Sequence, residues 1–392
     1  MKKHWLYAST ALLTLGVLSG CGKTTERIET VAVGTEEVQT TQEETEAETT
    51  AAEAEVAAKT FPSEYTVDGE KVSFHANVVA GENGTVENLA VYRAKTEKTD
   101  YDRIYSAFMA DKELKDTQEL EVKKEDGSDG ISYYHHTVDG GGLSVSELNF
   151  RYYTAFSFQV LNSFALEKGE SGYNADLYAR DKNFTFASCL DARNMVTDQL
   201  ASVGISLEDG SYQSDCYSLD YQTLQQEESI ISMDGSQDTE QYKEGWSEDD
   251  DCYYLCFRQM RDGLPISYEY AGVFTEYNDA NAPIQAIVSK NGIEMLSMDR
   301  LFTDFEATQT STLLGFEEIA GTVTEKFADL LTNSTYDVEQ AELVYLCLKK
   351  DGGVYEMKPT WVLDIKESVE NAGGEYSLQM MVDAQTGEEV VL

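Results

Sequence analysis

The amino-acid sequence predicts an α+β fold in which antiparallel sheets are each packed by one helix. Two helical patterns in the second half of the chain are each followed by a tyrosine-rich strand pattern and an Asp-Gly turn, which indicates a duplicated helix-plus-sheet unit. Alternating apolar residues nearer the start indicate a β-rich N-terminal α+β domain. The predicted boundaries are 61–184 for that domain, 185–300 for the first unit and 301–392 for the second.

The chain starts with the three parts of a secretory signal. Two lysines are followed by an uncharged run from Trp5 to Leu18, and the small residues Ser19 and Gly20 end that run. A run this short does not span a bilayer, which takes about 20 apolar residues. Residues 1–20 are therefore interpreted as a signal peptide.

The motif Leu18-Ser19-Gly20-Cys21 resembles the lipobox of bacterial lipoproteins. This resemblance implies cleavage before Cys21 and a diacylglyceryl group on its sulfur. Two acyl chains provide the two membrane signals that stable anchoring needs. The predicted location is the cell membrane, with the protein lipid-anchored on the extracytoplasmic face. The alternative is an ordinary secreted protein in which Cys21 is incidental.

Residues 21–60 are predicted to be the lipidated cysteine and a disordered tether. From Gly22 to Thr60 there is no aromatic residue, and Thr and Glu dominate. Such a segment cannot bury enough apolar surface to offset the entropy lost on ordering. Folding is expected to begin near Phe61.

The N-terminal domain opens with a strand pattern, since Val72, Phe74, Ala76 and Val78 alternate with polar residues. The dipeptide Asn83-Gly84 is a hairpin signal, so this strand is predicted to pair with the one at 86–94. A helix capped by Thr99 follows, because apolar residues recur at helical spacing from 101 to 109.

Further strands are predicted at 131–138 and 143–148, followed by one with an aromatic face. The residues of that face are Phe150, Tyr152, Phe156, Phe158 and Val160. They lie on one side of a strand because the side-chain period is two. An aromatic face of this kind either covers a core or binds glycan or peptide.

Each predicted unit opens with a helix. In the first, Ser188 and Asp191 resemble a capping box and Gly204 is placed to end the helix. In the second, Gly315 is an acceptable N-cap and Leu314 can contact Ile319 as a hydrophobic staple. The apolar stripe of this second helix comprises Phe316, Ile319, Ala320, Val323, Phe327, Leu330 and Leu331.

The two units then share an order of strands. Tyr254–Arg258 matches Tyr345–Lys349, and both are followed by an Asp-Gly turn and by a strand that contains a proline. Each unit ends in a hairpin, at 287–293 and at 381–388. Residues 224–251 of the first unit are predicted to be a polar loop.

A family resemblance rests on Pro359-Thr360-Trp361 and the run Asp383-Ala384-Gln385-Thr386-Gly387-Glu388. With the preceding helix and tyrosine-rich strand, this order resembles the repeat of PepSY domains and of extracytoplasmic regulators of the YycH and YycI type. The resemblance covers about residues 313–392, extends less closely over 185–300 and is absent from 61–160. The chain also resembles large lipoproteins of Gram-positive anaerobes. YycH and YycI proteins are usually held by a transmembrane helix, from which the lipobox departs.

The resemblance implies a non-catalytic domain that binds a sensor kinase or restrains a peptidase. The leading interpretation is a binding or regulatory module that presents sheet edges and tyrosine-rich faces to another envelope protein. The alternative, from a different functional class, is an envelope hydrolase acting on peptide or glycan.

Charge restricts the partners. The sequence has 29 basic and 72 acidic residues, a net charge of −43. Such a surface repels phosphate backbones and anionic headgroups, which excludes nucleic acids and polybasic docking to lipid. The acidity either attracts cationic peptides or Ca²⁺, or serves only solubility outside the cell.

The cysteines after Cys21 do not form a zinc motif. They are Cys189, Cys216, Cys252, Cys256 and Cys347. Five cannot all pair, and Cys252 and Cys256 on one strand would be about 13 Å apart, too far to bridge each other. They are interpreted as small buried apolar residues, with one long-range disulfide possible.

No catalytic residue, cofactor or metal site is predicted. Standard hydrolase, metalloprotease and nucleotide-binding motifs are absent from the sequence. Beyond the signal, the histidines are His75, His135 and His136, and the adjacent pair would point to opposite faces of a strand. The acidic run 248–251 lacks the spacing of a Ca²⁺ loop. Lipidation at Cys21 is the one site that the sequence predicts.

Replacing Cys21 should reveal the anchor. We expect Cys21→Ala to abolish metabolic lipid labelling and to leave an uncleaved or shed form, because the sulfur is the attachment point that the lipobox implies. The measurement is incorporation of labelled fatty acid into immunoprecipitated protein, and equal labelling of the variant would contradict a lipoprotein.

Overall fold

The computed structural model describes residues 58–87, 89–167, 172–208, 210–232, 235–270, 273–275, 278–328, 330, 333–369 and 375–391. These ranges belong to one compact unit, Glu55–Leu392. The predicted signal peptide, Cys21 and most of the predicted tether lie outside the described residues. The last residues of the predicted tether, Lys59–Thr60, form a short strand.

The strands, in chain order, are β1 (Lys59–Thr60), β2 (Glu64–Val67), β3 (Val72–Val79), β4 (Thr85–Val86), β5 (Ala90–Thr96), β6 (Leu114–Lys123), β7 (Asp129–Thr137), β8 (Gly142–Val145), β9 (Asn149–Tyr153), β10 (Ala179–Arg180), β11 (Tyr212–Leu219), β12 (Cys252–Arg261), β13 (Leu264–Tyr270), β14 (Val273–Thr275), β15 (Ile284–Ser289), β16 (Gly292–Asp299), β17 (Phe302–Thr310), β18 (Ser334–Lys349), β19 (Val354–Val369), β20 (Glu375–Asp383) and β21 (Glu389–Val390).

The helices are α1 (Tyr101–Met109), α2 (Ala155–Leu161), α3 (Cys189–Ser202), α4 (Tyr221–Glu227) and α5 (Phe316–Ala328), with short 3₁₀ turns at Ala175–Leu177, Thr239–Gln241, Glu248–Asp250 and Asp351–Gly353. None of the helices in the described ranges has both the length and the apolar character needed to cross a bilayer. Helices packed on largely antiparallel sheets confirm the predicted α+β class.

A long hairpin of β18 and β19 is the centre of one sheet, here called sheet I. Its ladder runs from the pair Ser334↔Val369 to the pair Lys349↔Tyr355. On the β18 side, β3 and β13 pair in parallel with its two halves. On the β19 side, β5 and β20 pair antiparallel with its two halves. The flanking strands β2, β14, β17 and β21 complete sheet I.

The second sheet, here called sheet II, is antiparallel throughout. Its strand order is β10, β11, β12, β15, β16, β9, β8, β7 and β6. Alternate residues of β12 belong to two different cores, with Tyr253 and Leu255 on one face and Tyr254 and Cys256 on the other. Helices α1 and α3 cover the first face, and α2 and α4 cover the second. Sheet II therefore carries several helices rather than the single one predicted.

The predicted hairpin between 72–78 and 86–94 is wrong. The turn at Asn83-Gly84 does form, with φ of 56° and 74°, but it leads into the short β4, which pairs with β1. Strands β3 and β5 instead flank the β18–β19 hairpin on opposite sides. Alternate residues of β3 and most residues of β5 are buried, and the longer hairpin gives each of these strands a partner. The start of the predicted N-terminal domain is thus part of the same sheet as the C-terminal unit.

The predicted aromatic strand is also only partly correct. Phe150 and Tyr152 lie on β9, but Phe156, Phe158 and Val160 belong to the helix α2. The change comes at Thr154, whose side chain accepts a hydrogen bond from the backbone N–H of Ser157 as an N-cap. The strand therefore ends before Thr154 and a helix begins after it, so the side chains no longer alternate between two faces. Phe158 is exposed as a result, whereas Val160 is buried.

The predicted caps of the other helices are mostly confirmed. Helix α3 has the complete Ser188/Asp191 capping box, and Gly204 follows it with φ of 93°. At the start of α5, the N–H of Gly315 donates to the Glu318 carboxylate at 2.8 Å. Helix α1, however, is capped by Asp100 rather than by Thr99.

The predicted polar loop over 224–251 contains two buried anchors. Leu224 lies on α4, which Asp220 caps, and is fully buried. Trp246 is buried as well, and its Nε1 donates to the Glu228 carboxylate at 2.9 Å. These anchors fix the loop against the α2 face of sheet II.

The two units diverge at their Asp-Gly turns. The turn at Asp262-Gly263 passes the chain from β12 in sheet II to β13 in sheet I, with only two residue pairs between these strands. The corresponding turn near Asp351-Gly352 joins β18 to β19 within sheet I. The Asp262 carboxylate accepts hydrogen bonds from the hydroxyls of Tyr92 and Tyr345, at 2.6 and 3.0 Å. It therefore ties the crossing point to β5 and β18.

The cysteines behave largely as predicted. Cys252, Cys256 and Cys347 are free and buried within the described part. Cys189 on α3 and Cys216 on β11 form a disulfide that closes a separation of 27 residues. Closing a loop of this length restricts the unfolded chain and so stabilises the packing of α3 on sheet II.

The core of sheet I can be tested at α5. Phe327 is buried and its ring centroid lies 4.4 Å from that of Tyr336 on β18. We expect Phe327→Ala to lower the free energy of unfolding by about 3–5 kcal/mol, because it leaves a cavity in the core. Glu325→Ala, an exposed position on the same helix, should change it by less than about 0.5 kcal/mol. Denaturant unfolding of the full-length protein measures both, and equal losses would contradict this core.

The pH dependence of stability can be tested at Glu342 on β18. Burial raises the pKa of Glu342 from 4.5 to about 7; the nearby Asp364 adds to the rise and Arg258 opposes it. Between these two values the unfolded chain ionises while the folded one keeps its proton. Stability is therefore greatest below pH 4.5 as far as this group is concerned, and is lost as the pH rises toward 7.

The variant Glu342→Gln cannot ionise and should not show this loss. We expect its advantage over the native protein to grow by about 3 kcal/mol between pH 4.5 and 7. Glu339→Gln, at an exposed position on the same strand, is the control and should retain the native pH dependence. The measurement is denaturant unfolding from pH 4 to pH 8, and parallel curves for Glu342→Gln and the native protein would refute the assignment.

Candidate functional site

Strand β6 is an exposed edge of sheet II. All of its residues except the half-buried Val122 are exposed, on both faces of the strand. It pairs with β7 on one side, in a register that runs from Asp116↔His136 to Lys123↔Asp129 without a break. No described strand pairs with its other side. Its outward N–H and C=O groups therefore form a ready template for another strand.

The tip of the β6–β7 hairpin is fixed by a buried carboxylate. The side chain of Glu125 is only 5% exposed and lies 2.9 Å from the guanidinium of Arg300. It also accepts hydrogen bonds from the hydroxyls of Thr96 on β5 and Tyr355 on β19. Because these partners belong to or adjoin sheet I, the tip connects the two sheets. Breaking such a buried, charged network by removing one partner is costly, so the tip is held firmly.

A cluster of aromatic rings fixes the middle of the hairpin to α1. The rings of Tyr101 on α1 and Tyr133 on β7 are stacked at 4.0 Å between centroids. Tyr105 contacts His135 edge-on at 5.0 Å. The ring nitrogens of His135 lie 3.0 Å from the hydroxyls of Tyr101 and Thr117, so the histidine links α1, β7 and β6. These stacking contacts and hydrogen bonds hold the edge strand in place, although its own side chains are mostly exposed.

This face of the hairpin carries negative charge next to the rings. The carboxylates of Asp102 on α1 and Glu119 on β6 act electrostatically on Tyr101, whose pKa is raised first by burial and then by neighbouring groups. Burial lowers the pKa of His135, which keeps the imidazole neutral near pH 7. The face therefore combines partly exposed tyrosines with carboxylates and has no histidine cation.

The structure places the predicted histidines in three separate environments. His75 on β3 lies 2.8 Å from Asp337 and 3.3 Å from Asp68. His136 pairs with Asp116 at 2.7 Å on the face of β7 opposite to His135. The opposite orientation of the adjacent histidines agrees with the prediction.

The acidic run 248–251 also has local roles. Asp250 lies 3.0 Å from the ammonium group of Lys243 and completes a capping box with Ser247. Asp251 accepts a hydrogen bond from the backbone N–H of Tyr221 at 2.8 Å. These contacts hold the loop between α4 and β12. Cys21, the predicted lipidation site, lies outside the described residues.

Strand β6 was not predicted from the sequence. Its residues are mostly polar or charged, and only Leu120 and Val122 show the alternation of apolar and polar residues that is typical of a strand. The useful signal was the turn-rich segment at 125–130, which joins β6 to a strand that was predicted. Two strand-length segments on either side of such a turn are typical of a hairpin.

Comparison with known proteins gives a relation of fold. Searches of protein-family models and of curated proteins found no match to the chain. The crystal structure of an uncharacterized protein from Eubacterium rectale superposes with a TM-score of 0.55 at 17% sequence identity, covering 84% of this chain and 94% of that one. This likeness shows a shared fold and says nothing about activity.

A second solved structure is the YpeB C-terminal domain of Bacillus megaterium. It shares 12% identity and covers 74% of this chain and 92% of that domain, with a TM-score of 0.22. A score this low does not establish a common fold.

Proposed function

We propose that this chain is a non-catalytic, lipid-anchored binding module on the extracytoplasmic face of the cell membrane. Its partner is another envelope protein, which adds an extended segment to the open edge of β6. The observation that carries this proposal is the ten-residue strand β6, exposed on both faces and unpaired along one edge within the described residues. Strand addition uses backbone hydrogen bonds for affinity and side-chain contacts for specificity.

Other edges of the two sheets are poorer templates. Strand β17 meets β5 through two register irregularities, and such breaks disturb the regular backbone pattern that an added strand needs. Strand β20 is partly covered by β21, and β10 has two residues. The register of β6 is regular from Asp116 to Lys123 and its tip is anchored at Glu125. A rigid template reduces the ordering cost of binding.

The location and the class of partner rest on the sequence. The lipobox ending in Cys21 supports a lipid anchor outside the cytoplasm. The resemblance of residues 313–392 to PepSY and YycH-type repeats supports a regulatory role, with a sensor kinase or a peptidase as the partner. Strand addition at an edge needs no catalytic group, which fits a module that restrains or senses another protein.

Photo-crosslinking in cells tests the edge. A photoreactive amino acid at Leu120, which is 50% exposed on β6, should capture one envelope protein. The same group at Leu190, 63% exposed on α3, is the matched control and should not capture that protein. Equal capture from both positions, or none from Leu120, would argue against binding at β6.

Proline substitutions make this test specific for backbone pairing. Neighbouring N–H groups of a strand point to opposite sides, so only one of Gln118→Pro and Glu119→Pro removes an outward donor. The variant that keeps near-native thermal stability identifies the outward position, because it leaves the β6–β7 ladder intact. We expect that variant to lose capture from Leu120 at least about tenfold. Unchanged capture, or labelling of the purified protein by serine- or cysteine-hydrolase probes, would contradict the proposal.

A further inference from the structure

We infer that the edge of β6 selects an extended segment that carries an arginine or lysine, and that this cation lies against the Tyr101–Tyr133 pair between Asp102 and Glu119. The inference rests on the proposed strand addition and names the chemistry that the added strand must bring. It follows from which side chains share one face of the hairpin.

The register of the hairpin determines that face. Thr117 lies opposite His135, Glu119 opposite Tyr133, and Glu121 opposite Ile131. Because side chains alternate, these six residues point to the side of the sheet on which α1 packs. A strand added to β6 would place every second side chain on this same side. Its side chains would then meet Glu119 and Glu121 first and the tyrosines behind them.

The rings on this face are suited to a cation. Tyr101 and Tyr133 are stacked on each other and both half-buried, so each keeps part of its surface exposed beside the strand. A guanidinium or ammonium group gains free energy from contact with a tyrosine face. Arginine gains further by stacking its planar group on the ring. An acidic or purely apolar side chain has no equivalent gain here.

The charges on this face favour the same choice. Within the described residues, no ion pair neutralises Asp102, Glu119 or Glu121, whereas Lys123 is paired with Asp129 at 2.5 Å. His135 adds no positive charge, because burial lowers its pKa. A cation on the added strand would therefore meet uncompensated carboxylates. The net charge of −43 adds long-range attraction for a basic segment.

A second copy of the chain is a less suitable occupant. Pairing β6 with another β6 would bring two highly acidic chains together. Each copy would add Asp116, Glu119 and Glu121 to the interface and only Lys115 and Lys123 in return. Like charges placed across a pair of strands are destabilising. A basic segment of a different protein is complementary where a second copy repels.

Host peptides of one backbone sequence test the inference. The probe is acetyl-Thr-Val-Thr-Arg-Thr-Val-Thr-amide, and its partner carries citrulline, an uncharged analogue of similar shape, in place of arginine. We expect the purified full-length protein to bind the arginine peptide about tenfold more tightly at low ionic strength. The preference should shrink in 0.5 M NaCl, because salt screens exposed charges. Titration calorimetry or NMR shift mapping measures both affinities.

Charge variants separate the local site from the overall field. The double variant Asp102→Asn with Glu119→Gln should bind both peptides about equally. The control, Glu317→Gln with Glu325→Gln, removes two charges from exposed positions of α5 and should keep the tenfold preference. If both double variants lose the preference equally, the overall charge accounts for it and the subsite is refuted.

The remaining outcomes distinguish the subsite from the strand addition itself. Equal binding of both peptides to the native protein, abolished by the outward proline on β6, would overturn the subsite and leave the edge function standing. Binding of neither peptide, together with capture from Leu120 in cells, would also overturn it. Sedimentation velocity showing a dimer that this proline dissociates would make a second copy the occupant. That result would refute the inference.

Discussion

The backbone pairing of β18 with β19 is the interaction on which the rest of sheet I depends. Because each strand is 16 residues long, its two halves can pair with different neighbours. Strands β3 and β13 occupy one flank and β5 and β20 the other. Segments from the start, middle and end of the chain are thereby joined in one sheet. The C-terminal unit owes part of its core to residues far earlier in the sequence, such as Phe74 and Tyr92.

The contacts between the sheets explain how a strand without a core becomes a rigid surface. Glu125 at the tip of the β6–β7 hairpin is held by Arg300, Thr96 and Tyr355, which ties sheet II to sheet I. Asp262 ties the crossing strand to Tyr92 and Tyr345 in a similar way. Buried carboxylates of this kind are stable only when hydrogen-bonded donors surround them. The hydrogen bonds to these carboxylates offset the free-energy cost of burying them, and those to Glu125 also hold β6 in a defined position.

An exposed edge is normally a risk, because it can pair with any strand that it meets. Here the charged side chains of β6 discourage self-association while its backbone groups stay accessible. The same carboxylates, placed beside Tyr101 and Tyr133, give the edge a preference in charge. Protection against unwanted pairing and choice of partner would then use the same residues, such as Glu119.

The sequence by itself determined the features that depend on neighbouring residues. The capping box of α3, the apolar stripe of α5 from Phe316 to Phe327, the α+β class and the burial of Cys252 and Cys256 follow from spacing and composition. The predicted extension of that stripe to Leu330 is wrong, because the helix ends at Ala328 and Leu330 is exposed, and Leu331 lies outside the described residues. The lipid anchor at Cys21 stays a prediction of the same kind. The tertiary structure alone decided that β3 and β5 flank β18–β19, that Cys189 pairs with Cys216, and that β6 forms an edge. Helix caps and turns are local interactions, whereas strand pairing joins residues hundreds of positions apart, and its outcome depends on which arrangement buries the most apolar surface.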